Sequence, residues 1–206
     1  MSTTKKLILA SGSPRRADLL RRAGLDFEIV VPQIDERPLP GEAPDEFVCR
    51  TALEKAESIP ANGAVILAAD TAVVDGARIL GKPSDAADAV AMLRSLSDHT
   101  HEVMTGVCIR FPDRTACFHI ETRVTFRNLS ESEIDTYVAS GEPMDKAGAY
   151  AIQGGAAKMV RRIEGSYSNV VGLPLCEVIE ALGGVACGSI EVKSLRPEGL
   201  TAENSI

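Results

Sequence analysis

The segment AVILAADTAVV, residues 64–74, constrains the fold most. Apolar residues run unbroken from Ala64 to Ala69, then resume after Asp70 and Thr71. The run is far short of the ~20 residues that span a bilayer, and no other stretch approaches that length. It predicts a buried hydrophobic strand, with Asp75-Gly76 as a turn into a short return strand. Asp70 ends the apolar run, at a strand end. A carboxylate emerging from a buried strand costs desolvation unless a metal, a cation or a proton role compensates. The plainer reading is a strand-end aspartate bonded to backbone N–H groups.

The surrounding pattern sets the fold class. Strands are expected at Lys6 to Ala10 and Phe27 to Val31, with a helix between them from Arg15 to Arg22 that Gly24 ends. A helix from Asp45 to Ile59 carries the apolar stripe Val48, Ala52, Ala56 and Ile59. Another opens at Ser84-Asp85 and runs to about Leu96. His101 to Arg110 and Thr115 to Arg127 read as strands. In the second, Phe118, Ile120, Thr122, Val124 and Phe126 alternate with polar residues, as in an antiparallel strand with one buried face. Ser130 to Ser140 is a helix with Glu133 completing a capping box. A Gly-rich loop leads from Lys146 into a further strand, and Pro174 to Leu182 is helical. The expectation is a mixed α/β sheet with helices packed on it, in one domain over residues 1–188, followed by a polar tail over 189–206.

Charge narrows the function classes. The 206-residue chain has a net charge of −7, which argues against a general nucleic-acid surface but leaves room for a local anion site. One stretch fits such a site. In LILASGSPRR, a strand enters a Ser-Gly-Ser turn, with Ser13 placed as N-cap and Pro14 at the first helical position. Arg15 and Arg16 then oppose the helix dipole. That placement makes sense if an anion sits between the guanidinium groups and the free N–H groups of the turn. Two solvated arginines on an amphipathic helix are the plainer reading.

Other candidates are weaker singly. GARILGKP nearly spells a phosphate-binding G-x-x-x-x-G-K-[ST] loop, but Pro83 replaces the required hydroxyl and lacks an N–H. Lys82 can still reach a phosphate. Lys55 lies at the margin of its helix's apolar stripe and reads as a snorkelling lysine. Asp35 and Glu36 sit in a Pro-rich loop. In DKAGAYAIQGG, Gly148, Gly154 and Gly155 permit close backbone approach, and Tyr150 and Gln153 can face a planar ligand. His99 and His101, on one face of a strand, read as surface or structural. Cys49, Cys108, Cys117, Cys176 and Cys187 show no paired spacing and read as buried, reduced thiols.

Taken together, LASGSPRR, RTALEKA, AADTAVV, LGKP, THEVMTGV, DKAGAYAIQGG and GSYSNVVGLPL resemble the Maf family of nucleoside triphosphate pyrophosphatases, in family order from Leu9 to about Gly184. The resemblance implies a Maf/ITPase-like α/β fold: a mixed twisted sheet flanked by helices, with a deep substrate cleft. It implies a cytoplasmic homodimer that hydrolyses a nucleoside triphosphate to the monophosphate and pyrophosphate, with no nucleic-acid or membrane partner. A divalent cation, Mg or Mn, is expected, with Asp70 and Glu36 as candidate ligands. The family's catalytic acid falls on Asp70, as base toward water or as holder of the metal. Its substrate-binding positions fall on Ser11, Arg15, Arg16, Glu36, Lys55 and Lys82. Arg15, Thr71 and Gln153 match the branch acting on dTTP and UTP. The alternatives are a pyrophosphatase for modified nucleotides such as 7-methyl-GTP, or a non-catalytic nucleotide-binding regulator of cell division.

Overall fold

The computed structural model describes residues 6–183. Its first half alternates β1 (Leu7–Ala10), α1 (Pro14–Arg22), β2 (Glu28–Val30), α2 (Pro44–Glu57) and β3 (Val65–Asp75). The helices serve as crossovers, so β1 pairs in parallel with both β2 and β3. After β3 the pairing becomes antiparallel. β4 (Arg78–Leu80) folds back on β3 through the expected turn at Gly76. Then come α3 (Ala86–Leu96), β5 (Thr100–Arg110), β6 (Thr115–Phe126), α4 (Glu131–Ala139), β7 (Val160–Glu164), α5 (Tyr167–Val171) and α6 (Leu175–Leu182). The strands form one seven-stranded mixed sheet in the order β2-β1-β3-β5-β6-β7, with β4 on β3. This is the helix-flanked mixed α/β sheet expected from the sequence.

Alternation along β3 sorts the two faces of the sheet. Val65, Leu67, Ala69 and Val73 join the larger core with Ala89, Leu93 and Leu96 of α3. Ile66 and Ala68 pack against Ala52 and Ala56 of α2, while Ala72 and Val74 meet Phe47 and Val48. By parity Asp70 points to the α2 side and Thr71 to the other. Asp70 is not at a strand end: β3 continues through Ala72, Val73 and Val74, which stay buried and paired with β5. Asp70 is in register with Gly106 of β5. A Cβ at Gly106 would lie 2.2 Å from the Val48 carbonyl oxygen, so the α2 backbone rests directly on the β5 backbone.

Several expectations change. β2 is shorter than Phe27 to Val31 and exposed throughout, because it is an edge strand paired only with β1. The Gly-rich connection is not an open loop. It forms three 3-10 turns, at Glu142–Asp145, Ala147–Ala149 and Gly155–Met159. Gly148 holds φ +65°, and a Cβ there would stand 2.8 Å from Val73. β6 keeps its alternation, with Thr122, Val124 and Phe126 buried and His119, Glu121 and Arg123 exposed. His99 and His101 have different surroundings. His99 precedes β5 and lies 3.2 Å from Asp75. His101 is buried, 2.8 Å from the Tyr150 hydroxyl. Cys108 is buried and Cys49 and Cys117 partly so, but Cys176 is exposed on α6, against expectation. Cys187 and the tail at 189–206 lie outside the described residues. Among the described residues no helix is long and apolar enough to cross a membrane.

Candidate active site

A cleft of about 400 Å³ opens where the β1–α1 turn, the middle of β3, the inner face of α2 and the segment from Asp145 to Gln153 meet. Ser11, Arg15, Arg16, Glu36, Lys55, Asp70, Thr71, Lys82 and Gln153 all line it. These nine positions come from six separate parts of the sequence, and the fold brings every one to the same cavity.

Lys55 and Asp70 form its floor. Val48, Ala52 and Lys55 are spaced i, i+4, i+7, so Lys55 lies within the buried stripe of α2 rather than at its margin. Its side chain is 5% exposed, too deep to snorkel, and its Nζ donates to Asp70 Oδ1 at 2.6 Å. The Asp70 side chain is itself 10% exposed. Each charge offsets the desolvation of the other. Glu36 reaches over from the Pro-rich loop and places Oε1 3.0 Å from the same Nζ. Lys55 is thus shared by two carboxylates, and the trio carries one net negative charge. Among the described residues no three His, Cys, Asp or Glu side chains gather in metal-binding geometry. The carboxylates the floor offers to a cation are Asp70 and Glu36.

Arg16 and Thr71 build the adjoining wall. Arg16 is buried, and its Nε donates to the Gly172 carbonyl at 2.7 Å. Its two terminal nitrogens donate to Ser11 Oγ at 3.2 Å and Thr71 Oγ1 at 3.0 Å. Burial lowers its pKa from the ordinary value, while Asp70 and Glu36 oppose that shift. Three of the five guanidinium N–H groups are committed to protein, and two remain for a ligand. Thr71 Oγ1 also lies 2.9 Å from Thr105 Oγ1. Thr105 and the buried Asn169 were not singled out from sequence. Asn169 donates to the Val103 carbonyl and to Thr122 Oγ1, which pins α5 to the sheet and fixes the Gly172 carbonyl that Arg16 uses.

The mouth is different. Ser13 occupies the N-cap position of α1, but its side chain makes no capping bond. Ser11 Oγ instead accepts from the Ser13 N–H at 3.1 Å. The α1 N-terminus therefore faces the cleft uncapped, beside Arg15. Lys82 projects from beyond β4, exposed. Lys146 was also missed from sequence. It lines the cleft, paired with Asp145, and nothing in DKAG distinguishes it from a surface lysine. Tyr150 forms the wall beside Gln153. Its ring packs edge-on against Phe126 and His101, and burial pushes its pKa up. Five basic side chains thus face three carboxylates across the cleft of an acidic protein. That balance suits a polyanion held by cationic groups and backbone N–H donors.

A family model described as "Maf-like protein" matches residues 6–185. The dTTP/UTP pyrophosphatase of Geobacter sulfurreducens is 54% identical over 181 residues, covering 86% of this chain and 95% of that protein. The dTTP/UTP pyrophosphatase of Bacillus cereus is 49% identical over 180 residues, covering 86% of this chain and 89% of that protein. Among solved structures, a HAM1 protein from Coxiella burnetii aligns with a TM-score of 0.46 at 15% identity, covering 87% of this chain and 99% of that one. With a match that runs through the whole cleft, from the β1 strand to the end of α6, the chain belongs to the Maf family.

Proposed function

We propose that the chain hydrolyses dTTP and UTP to the monophosphate and pyrophosphate. The observation that carries this reading is the meeting of all nine site positions around the Lys55–Asp70 pair, in a cleft lined by five basic side chains. The names of the relatives at about half identity support it.

In this reading the uncapped α1 N-terminus, Arg15, Lys82 and Lys146 bind phosphate oxygens. Arg16 orients the wall and lends its two remaining N–H groups. Water attacks the α-phosphorus and pyrophosphate leaves. Asp70 Oδ1 is occupied by Lys55, while Oδ2 makes no hydrogen bond among the described residues. That oxygen is the one suited to accept the proton of the attacking water. Asp70 and Glu36 also fit a divalent cation, because Mg²⁺ is commonly bound by one or two carboxylates together with substrate phosphates. Such an ion supplies charge neutralisation on the triphosphate.

Gln153 is placed for the base. Uracil and thymine offer an acceptor at O4 beside a donor at N3, which a Gln amide complements. 7-Methylguanine offers adjacent N–H donors, which suit a carboxylate. A Gln amide turned over reads cytosine equally well, so discrimination against CTP depends on how Gln153 is held. A cytoplasmic homodimer belongs to the same proposal, and the exposed edge strand β2, with Ile29 and Val30 uncovered, is the kind of edge a second copy would protect.

Pyrophosphate release across dTTP, UTP, CTP and 7-methyl-GTP, with Mg²⁺ or Mn²⁺ and with chelator, tests the reading. The expected order places UTP and dTTP first, with Gln153→Glu narrowing the gap to 7-methyl-GTP. Faster release from 7-methyl-GTP by the unaltered protein, or none from any nucleotide, would overturn it.

A further inference from the structure

Gln153 is exposed at the cleft mouth, and its amide makes no hydrogen bond among the described residues. Its position is therefore set by the backbone that carries it. Two side chains outside the cleft hold that backbone. The Tyr137 hydroxyl of α4 accepts from the Ala151 N–H at 3.2 Å and donates to Glu142 Oε1 at 2.9 Å. Burial raises the Tyr137 pKa, which keeps that proton in place. The Glu142 carboxylate accepts the Gly155 N–H with both oxygens, each at 3.0 Å.

The segment is thus staked two residues before Gln153 and two after it. Between the stakes, the Gly154 N–H donates to the Ala151 carbonyl at 3.0 Å and closes a turn. Gly154 also lies hard against the carboxylate: a Cβ there would fall 2.0 Å from Glu142 Oε1. A Cβ at Gly155 would stand 3.1 Å from the Tyr137 ring. Neither Tyr137 nor Glu142 lines the cleft.

We propose that Tyr137 and Glu142 form a clamp that sets base selectivity by fixing where Gln153 is presented. They are positioning residues and touch no substrate. The proposal rests on the reading of Gln153 as the group that meets a pyrimidine base. A pair that merely stabilised the fold would weaken activity on every nucleotide alike. A clamp that acts through Gln153 changes the ratio between bases that differ only at their pairing edge.

The experiment is kcat and KM for UTP and CTP in the unaltered protein and in Tyr137→Phe, Glu142→Ala, Glu142→Gln and Gly154→Ala, with thermal melts of each. Every variant is also made with Gln153→Ala. The expected result is a fall of about tenfold in the UTP/CTP ratio of kcat/KM for Glu142→Ala and Gly154→Ala, within what one base-edge pairing discriminates. Most of that fall comes from a higher KM for UTP. Tyr137→Phe falls less, and Glu142→Gln, which keeps an acceptor for Gly155, recovers most of the ratio. With Gln153→Ala the same substitutions leave the ratio unchanged. Parallel losses on UTP and CTP, or a full effect without Gln153, would overturn the clamp while leaving the proposed function standing. Lack of any UTP or dTTP preference in the unaltered protein would overturn the functional reading, and the clamp with it.

Discussion

The floor of the cleft and its mouth are built on opposite principles. At the floor and the wall that adjoins it, Lys55, Asp70, Arg16 and Thr71 are buried or nearly so, and each is bonded to another protein group. At the mouth, Arg15, Lys82 and Gln153 hold side chains toward the cavity with no hydrogen bond to protein among the described residues. A buried charge must be compensated within the protein, while a charge at the surface is compensated by water that a ligand can replace. The floor is thus organised before a ligand arrives, and the mouth is completed by it. Substitutions at the floor should change stability or turnover, and substitutions at the mouth should change affinity and selectivity.

The harshest test of that contrast is Lys55→Met. It leaves two carboxylates facing each other without their ammonium and should cost about 3–5 kcal/mol of stability. Urea unfolding measures this, and adding Asp70→Asn should return part of the loss. An unchanged midpoint would mean the floor is no more locked than the mouth. Asp70→Asn alone separates chemistry from folding. Lys55 keeps Glu36 as a partner, so the protein should stay folded while turnover falls on the order of 10²-fold or more. Turnover near that of the unaltered protein would remove Asp70 from the chemistry.

A pH scan extends the comparison to the wall beneath Tyr150, which neutral groups hold. Burial depresses the His101 pKa from 6.5 to about 4. The unfolded chain then binds the extra proton first as pH falls. Stability from this group is fully present above pH 6.5 and is lost progressively down to about pH 4, by about 3 kcal/mol in all. His101→Gln should flatten that window in a melt series, and an equal slope in the variant would assign the acid sensitivity elsewhere. The mildest change is Lys82→Ala at the mouth. It should raise KM about tenfold, as loss of one charge-assisted bond does, and leave the melting temperature unchanged. A drop in melting temperature comparable to that of Lys55→Met would erase the distinction.

The two ends also differed in how far the sequence revealed them. Arg15, Lys82 and Gln153 sit where turns and glycines announce a surface facing a ligand, and local pattern was enough to raise each. Lys55 was harder. Its residue type argued for snorkelling, and only the i, i+7 spacing from Val48 put it inside the stripe. Asp70 drew notice as a carboxylate in an apolar run, yet its place within β3 depended on pairing with β5 as far as Val74. Thr105, Asn169 and Gly172 lie in segments that carry the family resemblance, but no local pattern marks them individually, because their part in the wall exists only through partners far away in the chain. The five-residue α5 was missed for a related reason: Val170 and Val171 are poor helix formers, and bonds from Asn169 to β5 and β6 hold that turn in place.

Gly106 gives the floor a mechanical reference. The Val48 carbonyl occupies the space where a side chain on β5 would begin, so main chain meets main chain. The depth at which α2 settles is therefore gauged by a hard stop that contains no side chain. Residues elsewhere in the layer can drift in size without altering how far Lys55 reaches, provided that stop is kept. At Gly106 itself any other residue is a collision. The position is thus as intolerant of change as a residue in the cleft, although it never faces the cavity.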